Sequence, residues 1–242
     1  MKEDIATAQQ QNYTLYLESK RPVKEFFWTL TLSHFNTRQD YLTHTEYQDN
    51  QFVLTSLEHR HRTENYQARS VLSKGFYEWN LKASIEAIYN YGRSKQAGQG
   101  IVQPSESHWL SLKPKLNWTP THWLSASYQA NLNRSQTHIT TTLPALWEVQ
   151  QHLSFDIGNE EWNLTLGGEH YYNELSDTES KNTWLADASL QHSFGKWKLI
   201  ASLHNLFNQK EYRYTTYSDV RSYTSWIKMR PREVLVSMQY RW

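Results

Sequence analysis

Apolar and polar residues alternate with period two over long stretches of this chain. From Trp79 to Tyr91 one side reads Trp79, Leu81, Ala83, Ile85, Ala87, Tyr89, Tyr91, and the other reads Asn80, Lys82, Ser84, Glu86, Ile88, Asn90. Leu124, Ala126, Tyr128, Ala130 and Leu132 alternate in the same way with Ser125, Ser127, Gln129, Asn131 and Asn133. Val234, Val236, Met238, Tyr240 and Trp242 close the chain on the same pattern. Successive strand residues point to opposite faces, so each run predicts a two-faced strand; helical periodicity is weak throughout.

Read this way, the chain holds about eleven strands (10–12). They fall near Asn12–Ser19, Phe26–Asn36, Arg62–Lys74, Glu78–Arg93, Ser105–Trp118, Thr121–Gln136, Trp147–Ile157, Glu161–Glu174, Asn182–Phe194, Trp197–Asn208 and Ser222–Trp242. Short connections near Ser19–Glu25, Lys74–Glu78, Thr119–Thr121, Gly158–Glu161 and Gly195-Lys196 alternate with longer ones. The longest, Asn36–His61, reads as an insertion with its own hairpin around Asp49-Asn50. Pro114 cannot donate to a ladder and predicts a bulge or break; Gln151 falls on an otherwise apolar side.

The alternations run for roughly 10–14 residues, against about 5–6 in ordinary strands and about 9–11 in tilted strands that cross a bilayer. Their polar sides carry mostly Asn, Gln, Ser and Thr, as suits a crowded wet lumen. The expected fold class is therefore all-β, an antiparallel transmembrane β-barrel segment. A polar N-terminal tail (1–11) would precede a barrel segment (12–242), with an extracellular loop insertion near 37–61. An odd strand number points to half of a larger barrel, since free-standing barrels have an even count.

Aromatic residues gather at the short turns. Phe76, Trp79, Trp118, Trp123, Trp162, Phe194 and Trp197 would form a membrane-interface girdle, with Trp242 level with them. A second set, Tyr89, Tyr91, Trp147, Tyr171, Tyr172 and Phe207, lies one strand-length away. From Trp79 to Tyr91 is roughly 40 Å of strand, or roughly 28 Å of height at a tilt near 45°. The competing reading is that aromatics simply favour strands.

Composition narrows the classes further. The 242 residues include 11 Trp and 16 Tyr, which argues against disorder. Mean hydropathy is −0.80, and no run approaches the ~18–20 apolar residues of a spanning helix. Lys and Arg total 25 against 24 Asp and Glu, so nucleic acid is not an expected partner. Cysteine is absent, which excludes disulfides, thiolate metal sites and thiol catalysis. Met1-Lys2-Glu3-Asp4 opens without an apolar run behind it, so no signal peptide is expected.

Two C-terminal motifs carry a family resemblance. Asn205-Leu206-Phe207-Asn208, with Tyr212 beyond it, resembles the penultimate strand of TonB-dependent outer-membrane transporters. Arg230-Pro231-Arg232-Glu233 and the strand after it resemble the last strand of Bacteroidetes-type members. Val236, Met238, Tyr240 and Trp242 are similar to the signal read by the barrel assembly machinery, although the family more often ends in Phe. The resemblance covers about the last forty residues and implies the wall-forming C-terminal part, about half of a 22-strand barrel, of a receptor for nutrient uptake in the cell outer membrane. Its partners would be the lipid bilayer, the assembly machinery and a plug and barrel half not visible in this sequence, with TonB reached only through that part. Without them, active transport is not expected. Rival readings are a self-contained porin-like barrel, which needs its first and last strands to pair, and a soluble all-β ligand-binding protein, for instance one for carbohydrate.

Candidate chemistry is sparse. His59-Arg60-His61 offers two imidazoles at i, i+2 but no nearby third ligand, so a solvated segment is the stronger reading. His108, His122, His138, His152, His170, His192 and His204 have no metal-site spacing. Gly98-Gln99-Gly100 lacks a following helix, and no nucleophile elbow occurs. Glu86 and Glu169 would face a lumen, without a pairing that defines a hydrolase. Tyr41, Tyr47, Tyr212, Tyr214, Tyr217 and Tyr223 are candidates for ligand stacking or for loop packing. No catalytic residue, metal or cofactor is predicted, and the expectation is a non-enzyme.

Overall fold

The computed structural model describes residues 8–48, 51–98, 101–139, 144–176, 178–218 and 221–242. Side chains are described for all of these except 44–48, 51–52, 98, 213–218 and 221–224. The strands are β1 (Ala8–Arg21), β2 (Phe26–Gln48), β3 (Gln51–Phe76), β4 (Leu81–Gly98), β5 (Ile101–Thr121), β6 (Leu124–His138) and β7 (Leu146–Gly158). They continue with β8 (Trp162–Glu174), β9 (Ser180–Phe194), β10 (Trp197–His204), β11 (Glu211–Ser218), β12 (Arg221–Lys228) and β13 (Glu233–Tyr240).

Eleven of these strands form one antiparallel sheet in the order β1-β2-β3-β4-β5-β6-β7-β8-β9-β10-β13, while β11 and β12 pair separately. Among the described residues β1 pairs only with β2, and β13 only with β10. The sheet is open, so the expected barrel, whether half of a 22-strand ring or a closed porin-like one, is corrected. The reason is physical. Period-two patterning fixes which face each residue occupies and favours pairing between neighbours in sequence, whereas closure depends on the curvature and shear of the whole sheet.

The final predicted strand, Ser222–Trp242, is two. Its first part belongs to β12 and its second to β13, with Met229–Arg232 between them. Neither β11 nor the break was visible in the alternation. The Asn36–His61 segment does pair as the arms of a hairpin around 49–50, out to Gln48 and Gln51, but those arms are the continuations of β2 and β3, with a bulge between Gln39 and Tyr41. Its tip, Asp49-Asn50, lies outside the described residues, as do Gln99 and Gly100.

Registers place the apolar sides of successive strands on one face. Leu15 pairs with Leu32, Ala68 with Tyr89, Ile85 with Pro114, Phe155 with Leu166, and Ala201 with Val236. Among the described residues only Leu42 and Ala130 are buried hydrophobics. Leu15, Val236 and Met238 expose 53%, 69% and 63% of their surface. Among the described residues no second layer closes over this face. Ladder hydrogen bonds and cross-strand side-chain pairs therefore hold the sheet together, in place of an enclosed core.

Pro114 interrupts one ladder only. It stays paired with Ile85 of β4, while pairing toward β6 lapses after Leu112–Leu132 and resumes at Lys115–Gln129 in the same register. Gln151 does occupy the apolar face, and polar neighbours satisfy it. Tyr128 Oη donates to its Oε1 at 2.9 Å, and its Nε2 lies 3.0 Å from Nδ1 of His170.

The short turns are built from left-handed residues. Glu25 (φ 46°) and Asn80 (φ 47°) end the 3₁₀ turns Pro22–Lys24 and Tyr77–Trp79. At the β7–β8 turn the side chain of Asn159 accepts from the backbone N–H groups of Glu161 and Trp162 at 3.0 and 2.9 Å. Gly158 precedes it at φ 154°, where an added Cβ would lie 2.0 Å from the Trp162 carbonyl oxygen. Gly158→Ala should therefore destabilise by about 2 kcal/mol or more in denaturant titration. Gly167→Ala and Gly168→Ala, where an added Cβ meets nothing within 4 Å, should be neutral or mildly stabilising.

Candidate functional site

Opposite the apolar face, alternation delivers polar side chains from neighbouring strands to one surface. Glu86 comes from β4, Lys113 and Lys115 from β5, Gln129 and Asn131 from β6, Gln150 and His152 from β7, and Glu169 and Tyr171 from β8. They line an open depression of about 500 Å³. A second depression, of about 320 Å³, is lined by Glu169 as well, together with Asp187, His204, Asn205, Arg230 and Glu233. Glu169 joins the two into one trough.

The carboxylates within the trough have protein partners. The Glu86 carboxylate accepts from Arg69 Nε at 2.8 Å. Glu169 lies 3.5 Å from Nδ1 of His152 and accepts from the Tyr171 hydroxyl at 2.7 Å. Asp187 faces His204 at 3.2 Å. Glu86 and Glu169 thus share one surface, but each carboxylate is already engaged by protein donors. The Tyr171 phenol is pushed up to about 12, chiefly by burial and then by its hydrogen bond to the Glu169 carboxylate. It remains a neutral donor throughout the physiological range.

The β11–β12 pair overhangs this surface. Tyr212 of β11 packs edge-on against Tyr171 with centroids 5.2 Å apart, and its hydroxyl accepts from Nδ2 of Asn173 at 3.3 Å. Tyr171, expected on the same level as Tyr172 in the second aromatic set, faces the trough; adjacent strand residues cannot share a face. Tyr41 lies on β2 away from the trough, and the side chains of Tyr47, Tyr214, Tyr217 and Tyr223 lie outside the described residues.

The two C-terminal motifs meet in a local knot. Asn205 is left-handed (φ 52°) and buried. Its Nδ2 donates to the carbonyls of Gln209 and Arg230 at 2.9 and 2.8 Å, and its Oδ1 accepts from the Gln209 N–H at 2.9 Å. Its own N–H donates to Asp187 at 2.8 Å. Leu206 N–H reaches the Ala186 carbonyl, and Asn208, also left-handed, accepts from the Arg232 N–H at 3.1 Å. The Arg232 guanidinium donates to the Leu206 carbonyl. Phe207 is exposed, Pro231 lines the second depression, and Arg230 lies 3.9 Å from Glu233. Thus the motif residues tie the end of β10 to the start of β13.

The expected girdle residues Phe76, Trp79, Trp118, Trp123, Trp162, Phe194 and Trp197 are all exposed at the short-turn end of the sheet. Phe76 stacks on Trp79 at 5.7 Å, and Trp162 on His192 at 3.8 Å. Tyr240 touches both Trp197 and Trp242. Val236, Met238 and Tyr240 lie on the apolar side of β13, with Trp242 just beyond it. His61 is buried, its Nδ1 3.0 Å from the His59 carbonyl, and His59 Nε2 is 3.2 Å from Lys95 Nζ. Among the described residues no three His, Asp or Glu side chains gather as metal ligands do.

Two measurements test this geometry. Asn205→Ala removes side-chain bonds to three backbone groups and should destabilise by about 2–4 kcal/mol in denaturant titration, with Asn205→Asp little better because it cannot donate to the two carbonyls. For Tyr171, the unfolded phenol ionises near 10.0 and the folded one near 12. Its stabilising contribution should be complete below pH 10 and lost as pH rises toward 12. A difference absorbance titration against Tyr171→Phe should show one phenolate appearing late.

No family model matches the chain, and no curated protein matches it. The resemblance to TonB-dependent transporters is therefore corrected: its motifs are short, and here they build a local turn that many sheets could use. The expectations that rested on it are withdrawn together. These are the nutrient-receptor role, the outer-membrane placement, and the bilayer, assembly machinery, plug and TonB as partners. That no described helix is long and apolar enough to cross a membrane adds nothing on strands.

Proposed function

We propose that the chain is a non-catalytic, all-β binding module whose trough takes an elongated, neutral, hydrogen-bond-rich ligand, with oligosaccharides the best-fitting class. One observation carries this reading: Glu169 joins two depressions on one polar face, and the carboxylates of Glu86, Glu169 and Asp187 there are engaged by protein side chains. Amide side chains such as Gln129, Asn131 and Gln150 supply both donors and acceptors, as a polyhydroxylated ligand requires. Tyr171, braced by Tyr212, offers an aromatic wall against which a sugar ring could rest.

The carboxylates support binding better than hydrolysis. Each is held by an arginine, histidine or tyrosine of the protein, and no free carboxyl partner stands beside either among the described residues.

Saturation-transfer NMR against a panel of neutral oligosaccharides, followed by calorimetry, tests the proposal. At least one linear oligosaccharide should bind, and Gln150→Ala or Tyr171→Ala should weaken it about tenfold, a loss of about 1.4 kcal/mol. Absence of binding across the panel up to about 10 mM, well beyond the usual weak range, would reject the reading. So would binding that neither substitution changes.

A further inference from the structure

The free edge at β1 carries an unfinished aromatic stack. On the apolar face five strands each contribute one ring at the same level: Tyr13, His34, Tyr66, Tyr91 and His108. Centroids are 6.2 Å apart for Tyr13–His34, 4.3 Å for His34–Tyr66, 6.1 Å for Tyr66–Tyr91 and 5.0 Å for Tyr91–His108. Neighbouring planes differ by no more than 36°. The inner rings therefore cover each other's faces. The Nδ1 of His34, inside the stack, is buried without a hydrogen bond. Tyr13 ends the stack with its outer side open, 62% exposed.

Among the described residues nothing covers the edge itself, and from Ala8 to Leu17 it carries no charge. β1 runs from Ala8 to Arg21 in unbroken register with β2, without proline or bulge. Such a strand presents unpaired backbone donors and acceptors ready for another strand.

We infer that a second copy of this chain docks on this edge, β1 against β1, in antiparallel pairing centred on Tyr13. A two-fold axis perpendicular to the sheet at Tyr13 lays the two Tyr13 rings side by side and continues the stack from one copy into the other. Ala8 then lies opposite the partner's Glu18, Gln10 opposite the partner's Tyr16, and Asn12 opposite the partner's Thr14. No charged residue meets a like charge, because Lys20 and Arg21 pass beyond the paired segment. The operation also keeps apolar face with apolar face.

Other pairings of copies fail on these points. Parallel pairing of two β1 strands about an axis along them would turn one sheet over and set Glu18 beside Glu18 and Lys20 beside Lys20. Head-to-tail pairing of β1 with β13 would be parallel, since the first and last strands of this eleven-strand antiparallel order run the same way.

Because the chain has no cysteine, a single introduced thiol reports the axis directly. Opposed Cβ atoms in such a pair are about 4.5–5.5 Å apart, close enough for a disulfide after small adjustment. Tyr13→Cys should give disulfide-linked dimers on mild oxidation. Gln9→Cys and Leu17→Cys should each fail alone, yet cross-link when mixed. Sedimentation keeps the ring in play: Tyr13→Lys and Tyr13→Glu should each weaken dimerisation at least tenfold, and an equimolar mixture of the two should restore it. Far-UV circular dichroism checks that each variant folds. The inference is overturned by a chain that stays monomeric at all concentrations, by equal cross-linking at Tyr13 and Leu17, by Ser237→Cys on β13 cross-linking in place of Tyr13, or by charge variants that fail to recombine.

Discussion

An extended sheet one layer thick has to satisfy its backbone sideways, strand to strand, because nothing above or below can do it. That requirement governs this molecule. Each strand from β2 to β10 has a neighbour on both sides, and the registers hold over long spans with few irregularities. Where a donor is missing, as at Pro114, the loss stays within one ladder and the register survives. Side chains follow the same lateral logic. Gln151, His170 and Asn182 link across three strands, and Arg69 meets Glu86 across two. A sheet held this way can expose broad apolar surface and still keep a defined shape.

The strand pattern was legible because alternation is a local property. Trp79–Tyr91 and Leu124–Asn133 announce both their conformation and their two faces, and that placed Glu86 and Glu169 on one surface. Closure was not legible, since no residue in β1 or β13 states whether the two strands meet. The split of Ser222–Trp242 was hidden for a different reason. Met229, Arg230 and Pro231 keep an apolar and polar rhythm through the break, while the information that ends the strand lies in Asn205 and Asn208, more than twenty residues earlier.

Short motifs proved the least transferable evidence. Asn205-Leu206-Phe207-Asn208 is explained by two left-handed asparagines whose side chains bind distant backbone, a local need that any fold with this turn shares. Tyr171 was misplaced because it was read as one of a cluster of aromatics; its parity along β8 would have assigned it to the polar side. The trough itself is a product of pairing order. It needs β4 to β8 to be consecutive neighbours, a fact beyond what any one strand encodes.

The lapse at Pro114 has a consequence for motion. Lys113 lies with Pro114 inside the gap and Lys115 stands at its edge, beneath the larger depression, in the middle of an otherwise continuous sheet. Amide protons of β5 and β6 on both sides of the gap share a weakened seam, so solvent exchange there should outpace that of the flanking rungs. The floor of the trough is thereby its most compliant part, able to yield to a guest without disturbing the sheet's outer strands.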